Sequence, residues 1–196
     1  MIARVGYTEP TTLFELETMS IYIALLRGVN VGGNMLKMER LREVCSELGL
    51  KNARTYVQSG NIVFEAQGTA GRWAETLERK LAGEARLPVS VIVKTSVEME
   101  RVIAANPFIK ERGIDTARLH VTFLQQEPAK AAIAGLDALK AGADRFRCVG
   151  REIYVHCPDG YGETKLSNNA FEKVLSVRAT TRNWNTVNRL YEMCGH

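Results

Sequence analysis

What this chain lacks narrows its chemistry before any segment is read. Its three histidines, His120, His156 and His196, and four cysteines, Cys45, Cys148, Cys157 and Cys194, make no CxxC pair and no metal-ligand spacing. Nothing in the pattern therefore asks for a zinc site or a cluster, and no metal or cofactor is assigned. No GxxxxGK[ST] or GxGxxG run is present, and neither a GxSxG elbow nor an HExxH pair occurs. Those absences remove the commonest sequence signatures of nucleotide binding, serine hydrolysis and metalloprotease chemistry. No apolar run reaches the ~18 residues needed to span a bilayer, so no membrane partner is expected. Residues 1–18, MIARVGYTEPTTLFELET, lack the charged and apolar regions of a secretion signal. They read as an extension outside the folded unit, which starts at Met19. Unpaired cysteines without a targeting segment fit buried, reduced thiols in a cytoplasmic protein.

What is present is enough for a core. Hydrophobic residues make up 45% and charged residues 24% of 196 positions, the balance of an ordinary globular chain. The net charge of +4 permits an acidic partner without requiring one.

The pattern along the chain alternates strands and helices. Residues 21–26 are apolar on both faces, as a central strand is. A helix over 37–48 follows, with Met38, Leu41, Val44, Cys45 and Leu48 on one face and Gly49 as its stop. Strands at 53–57 and 62–65 flank Gln58-Ser59-Gly60-Asn61, a compact hairpin turn. A second helix spans 71–86, and a strand covers 89–93. The order β-α-β-β-α-β is that of a ferredoxin-like unit. A third helix over 97–105 ends before Pro107, and 109–116 reads as a linker. The order then restarts with a strand at 118–124, a helix at 128–139, a hairpin of 146–149 with 152–156 and a helix at 165–175. A short strand at 177–180 and a closing helix at 181–193 complete the chain. The fold class expected is α+β, with two ferredoxin-like halves, 19–106 and 107–196, related by duplication and ending in a C-terminal helix.

That topology has a consequence for function. In such a unit the first and second strands run the same way with the third between them. The turn after the first strand and the hairpin after the second then emerge at one edge. Here they are Arg27-Gly28-Val29-Asn30-Val31-Gly32-Gly33-Asn34 and Gln58-Ser59-Gly60-Asn61. Glycine and asparagine serve tight turns in any loop. Two such loops at one edge, beside Arg27 and Lys37, also offer main-chain amides and cations to an anion. The candidate ligand-binding residues are Arg27, Asn30, Gly32, Gly33, Asn34, Lys37, Gln58, Ser59 and Asn61. Lys165 joins them from the polar run 159–169, where Glu163 or Thr164 is the expected helix cap. Arg182 joins from 180–186, where Thr181 or Asn183 is the expected cap. His120 and His156, on strands, read as packed residues, and no catalytic residue is assigned.

Six stretches in order, YIALLRGVNVGGN, RTYVQSGNIVFE, NPF, LHVTFL, YGETKLSNN and ATTRNWNTV, closely resemble the bacterial "domain of unknown function 1697" family. The resemblance runs from Ser20 to Tyr191 and implies an α+β fold with two ferredoxin-like halves. It implies no activity, substrate or catalytic residue. The reading is therefore an anion-binding protein, its partner a phosphorylated small molecule or a nucleic acid. The nucleic acid is the weaker candidate, because Tyr56 and Tyr154 lie on strands but outside any RNP-like pattern. An enzyme acting between the halves on a phosphorylated or carboxylated metabolite, and an interaction module, are the alternatives. A chain starting at Met19 is expected to melt at the same temperature as the full chain; a lower melting temperature would show that residues 1–18 belong to the folded unit.

Overall fold

The computed structural model describes residues 18–29, 36–56, 60–85, 89–139 and 141–195. Among them eight strands and six α-helices follow one another as β1 (Ser20–Arg27), α1 (Met38–Glu47), β2 (Lys51–Tyr56), β3 (Asn61–Ala66), α2 (Ala70–Ala85), β4 (Ser90–Thr95) and α3 (Ser96–Ala104), then β5 (Leu119–Leu124), α4 (Lys130–Ala134), β6 (Arg145–Val149), β7 (Glu152–His156), α5 (Asn168–Leu175), β8 (Ala179–Asn183) and α6 (Trp184–Glu192). The strands form two four-stranded antiparallel sheets, β2-β3-β1-β4 and β6-β7-β5-β8. The class is α+β, and the strand order of the second sheet repeats that of the first.

Strand alternation explains the layering. In β1 the side chains of Tyr22, Ala24 and Leu26 join α1 and α2 in one core, while Ile23 and Leu25 face the other way. In β5 the same alternation sends Val121 and Phe123 inward and Leu124 outward, toward α5. The two inward faces share a single apolar layer, closed by Met99 and Val102 of α3 and by Trp184, Val187 and Leu190 of α6. Each sheet therefore has helices on its outer face and the other half of the chain on its inner face. Two-sided burial is why 21–26 and 119–124 are apolar throughout.

Polar groups stitch the layer at its margins. The Tyr154 hydroxyl donates to Val102 O at 2.8 Å, and Lys94 Nζ meets Glu152 Oε1 at 2.5 Å. Lys94 is 3% exposed, so removal of Glu152 would strand a buried charge.

Three segment expectations change. The helix expected over 128–139 forms only as α4, followed by a 3-10 turn at Gly135–Ala138. Glycine is a poor helix former, and a Cβ at Gly135 would stand 3.1 Å from Val174 Cγ1 of the packed α5. The helix expected from 165 begins at Asn168, because its cap is Ser167, whose Oγ accepts from Ala170 N at 3.3 Å. Thr164 is otherwise engaged, donating to Asp144 Oδ2 and accepting from Leu166 N at 3.0 Å. The last strand runs on to Asn183 through its pairing with β5, His120 opposite Asn183. Asn183 then caps α6, accepting from Thr186 N at 3.1 Å.

Because the middle layer belongs to both halves, they unfold together. Phe123→Ala is expected to cost about 3–5 kcal/mol. Trp73 in the first half and Trp184 in the second should report one shared, lowered urea midpoint; two separated transitions would contradict a common core.

Candidate functional site

The rim begins where β1 ends. Gly28, at φ +85°, turns the chain out of the strand. β3 lies antiparallel between β1 and β2, so the turn that starts β3 leaves at the same edge. The two turns touch: Leu26 N donates to Gly60 O at 2.8 Å. A Cβ at Gly60 would fall 2.5 Å from Val29 Cγ2 and 2.8 Å from Leu26 Cβ, and its φ is +74°. Only glycine fits there. Asn61 beside it is fully buried and donates to Tyr56 O at 2.9 Å, closing the hairpin. Asn30, Gly32, Gly33, Asn34, Gln58 and Ser59 lie outside the described residues.

Arg182 reaches this rim from the second half. Its Nε donates to Asn61 Oδ1 at 2.5 Å and Nη2 to Leu26 O at 2.6 Å and Gly60 O at 3.3 Å. Nη1 donates to Thr180 Oγ1 and Thr181 O, both at 2.8 Å. The side chain is thus a clamp from β8 to the β1 and β3 ends, at 7% exposure. Burial lowers its pKa to about 10, and hydrogen bonds to oxygens favour the charged form, so it is a cation at neutral pH. Arg182 reads from sequence as a ligand contact; the structure instead points its donors at its own chain.

Arg27 makes the second crossing. It pairs with Glu172 of α5 and donates to Ala179 O at 2.9 Å and Asn169 Oδ1 at 2.6 Å. Glu172 also accepts from Ala179 N at 2.7 Å. The first-strand turn, the end of the 159–169 run and the Arg182 segment therefore meet. Next to the crossing is a cavity of about 310 Å³ lined by Arg27, Gly28, Val89, Ser90, Glu172 and Arg178. Both halves contribute to its wall. Arg178 is more than half exposed and touches Glu78 at 3.4 Å. Ser90, Glu172, Asn169 and Arg178 were not singled out from sequence. Arg178 carried the one usable signal, a cation four residues from Arg182.

Lys37 is exposed just ahead of α1, on the chain leaving the rim. Lys165 lies apart, beside a cavity of about 330 Å³ formed with Asp144, Asp159, Gly160 and Glu163. On the outer face of the second sheet, Thr181 bonds Thr122 and Asn168, each at 2.7 Å. His120 stacks on Tyr161 at 4.5 Å. Burial holds its pKa below the ordinary value, so it is neutral and packed. Among the described residues no three or more of His, Cys, Asp and Glu are grouped to hold a metal ion.

A family model described as a protein of unknown function, DUF1697, matches residues 19–154. A solved structure of a conserved bacterial protein from Streptococcus pneumoniae is similar, with TM-score 0.70 and 24% identity, covering 91% of this chain and 100% of that one. At that identity the likeness concerns the fold alone. No curated protein matches the chain.

Replacing Arg182 with leucine leaves Asn61 Oδ1, Leu26 O and Thr180 Oγ1 buried without their donor. The expected loss is about 3 kcal/mol or more, read as a lowered urea midpoint; an unchanged midpoint would refute the clamp.

Proposed function

The chain belongs to the DUF1697 family, whose description assigns no function, and from that premise we propose that the protein binds an anionic ligand at the rim of its first sheet. The observation that carries this reading is the seam cavity of about 310 Å³, lined by Arg27 of the first half and Arg178 of the second. Its wall also holds Gly28, Ser90 and the Glu172 carboxylate that pairs with Arg27, and a guanidinium suits the fork geometry of a phosphate or carboxylate. Arg27 is held in place by Glu172 and Asn169 before any ligand arrives. Such preorganisation lowers the ordering cost of binding. Buried Arg182 adds positive potential from beneath without reaching the ligand. Lys37, and Asn30, Gly32, Gly33, Asn34, Gln58, Ser59 and Asn61, remain candidate contacts on the sequence argument alone.

The ligand favoured is a phosphorylated small molecule, because both halves contribute to the wall of one small cavity. The repeated strand order supports the further reading that 19–106 and 107–196 are ferredoxin-like units joined by duplication. The place of the cavity, between the halves, favours an enzyme acting on a phosphorylated or carboxylated metabolite as the second reading. Lys165, at a separate cavity, has no part in either. Among the described residues no helix is long and apolar enough to cross a membrane.

A thermal-shift panel of pyrophosphate, sugar phosphates, nucleotides and a random oligonucleotide tests the proposal. At least one small phosphate is expected to raise Tm, with the shift shrinking as salt is added. Arg178→Gln, at an exposed position, should weaken that response about tenfold, the ~1.4 kcal/mol of one charged contact. A flat panel, or full binding by the variant, would sink it. A change in the bound phosphate on incubation would select the enzyme reading.

A further inference from the structure

A second cleft opens at another part of the seam. It has a volume of about 380 Å³ and is bounded by α2, by Val91–Val93 of β4, and by Gln125, Gln126 and Arg151 of the second half. Arg151, at the β6–β7 turn, has its Nε buried with no hydrogen-bond partner. None of its nitrogens bonds or pairs with another described residue. Buried donors are almost always satisfied by protein, water or ligand. Arg151 also lines the adjoining cavity of about 270 Å³.

The wall of the cleft is an open strand edge. β4 is the outermost strand of its sheet. Val91 N is turned away from β1, since it donates to Glu78 Oε1 at 2.8 Å. Main-chain directions alternate along a strand, so Val93 also presents its N–H and C=O outward, where no strand pairs with them. Three carboxylates, Glu75, Glu78 and Glu98, complete the lining. Glu78 uses Oε1 for Val91 N and for Arg178, and Glu98 uses Oε2 for Thr95. Each keeps its other oxygen for a further donor.

The cleft thus joins a carboxylate bonded to Val91, an outward-facing main-chain pair at Val93, and Arg151 of the second half. We infer that the cleft binds a short extended peptide. Its main chain pairs with Val93, its terminal carboxylate meets Arg151, and its terminal ammonium meets Glu78. Strand addition supplies hydrogen bonds that do not depend on the side chains, while the two end charges select a free, unblocked peptide. Three extended residues span roughly 10 Å. The site shares no lining residue with the rim cavity, and its reading does not rest on the one proposed there.

Calorimetric titration of the full chain with trialanine, its amide and its N-acetyl form decides this. Trialanine should bind saturably, the amide and the acetyl form at least tenfold more weakly. Arg151→Gln should lose at least tenfold for trialanine while leaving any pyrophosphate response unchanged. No saturable binding at millimolar peptide would overturn the proposal, as would equal affinity for the blocked and free forms on the unaltered chain. Loss of the pyrophosphate response in the variant would overturn it too, by placing Arg151 at the other site or in the fold. A failed peptide titration leaves the rim reading untouched, and a flat phosphate panel leaves this one untouched.

Discussion

The Arg182 guanidinium is the interaction on which the arrangement of this protein depends. It reaches out of β8, is withdrawn from water, and divides its donors between its own strand and the ends of β1 and β3. Burying a cation is unfavourable unless its donors are well placed, so the oxygens of Leu26, Gly60 and Asn61 have to hold one geometry. That requirement fixes both the edge of the first sheet and its distance from the second. Arg27 repeats the crossing in the opposite direction, from the first half to α5. Two reciprocal arginine crossings at the margin of one apolar layer orient the halves, while Phe123, Val121, Ile23 and Leu25 supply most of the cohesion between them.

Much of this was legible in the residues. Periodicity gave the order of strands and helices, and two-sided apolar runs gave the central strands, because burial on both faces leaves no room for alternation. Glycine and asparagine located the turns at 28 and 60 for the same local reason. Where expectation and structure part, the cause lies beyond local pattern. Gly135 closes α4 early under the packing of Val174, and Ser167 rather than Thr164 caps α5 because Asp144 has engaged Thr164. Arg182 carries no mark in the sequence to separate a buried clamp from a ligand contact. Both uses need a planar cation near a turn, and only the fold shows which oxygens surround it. Glu172 and Asn169 were hidden for a related reason, since they meet Arg27 from more than 140 positions away.

The seam between the halves collects unusual chemistry for a plain geometric reason. Inner faces of two sheets can merge in the middle, but their twisted edges diverge and leave gaps where main chain and long polar side chains meet. The cavity beside Arg27 and the cleft beside Arg151 both lie on such margins. One is lined by Arg27, Arg178 and Glu172, whereas the other sets Arg151 against Glu75, Glu78, Glu98 and an edge strand.

Gly60 ties the rim to everything behind it. With Val29 packed where a side chain would stand, the turn after β1 and the turn before β3 share one contact surface and cannot shift independently. The same residue's carbonyl accepts from Leu26 and from Arg182. A continuous bonded path therefore runs from this edge into β8 and the other half. Gly28, Val29 and Gly60, where the two turns begin and end, are thus tied directly to the seam between the halves.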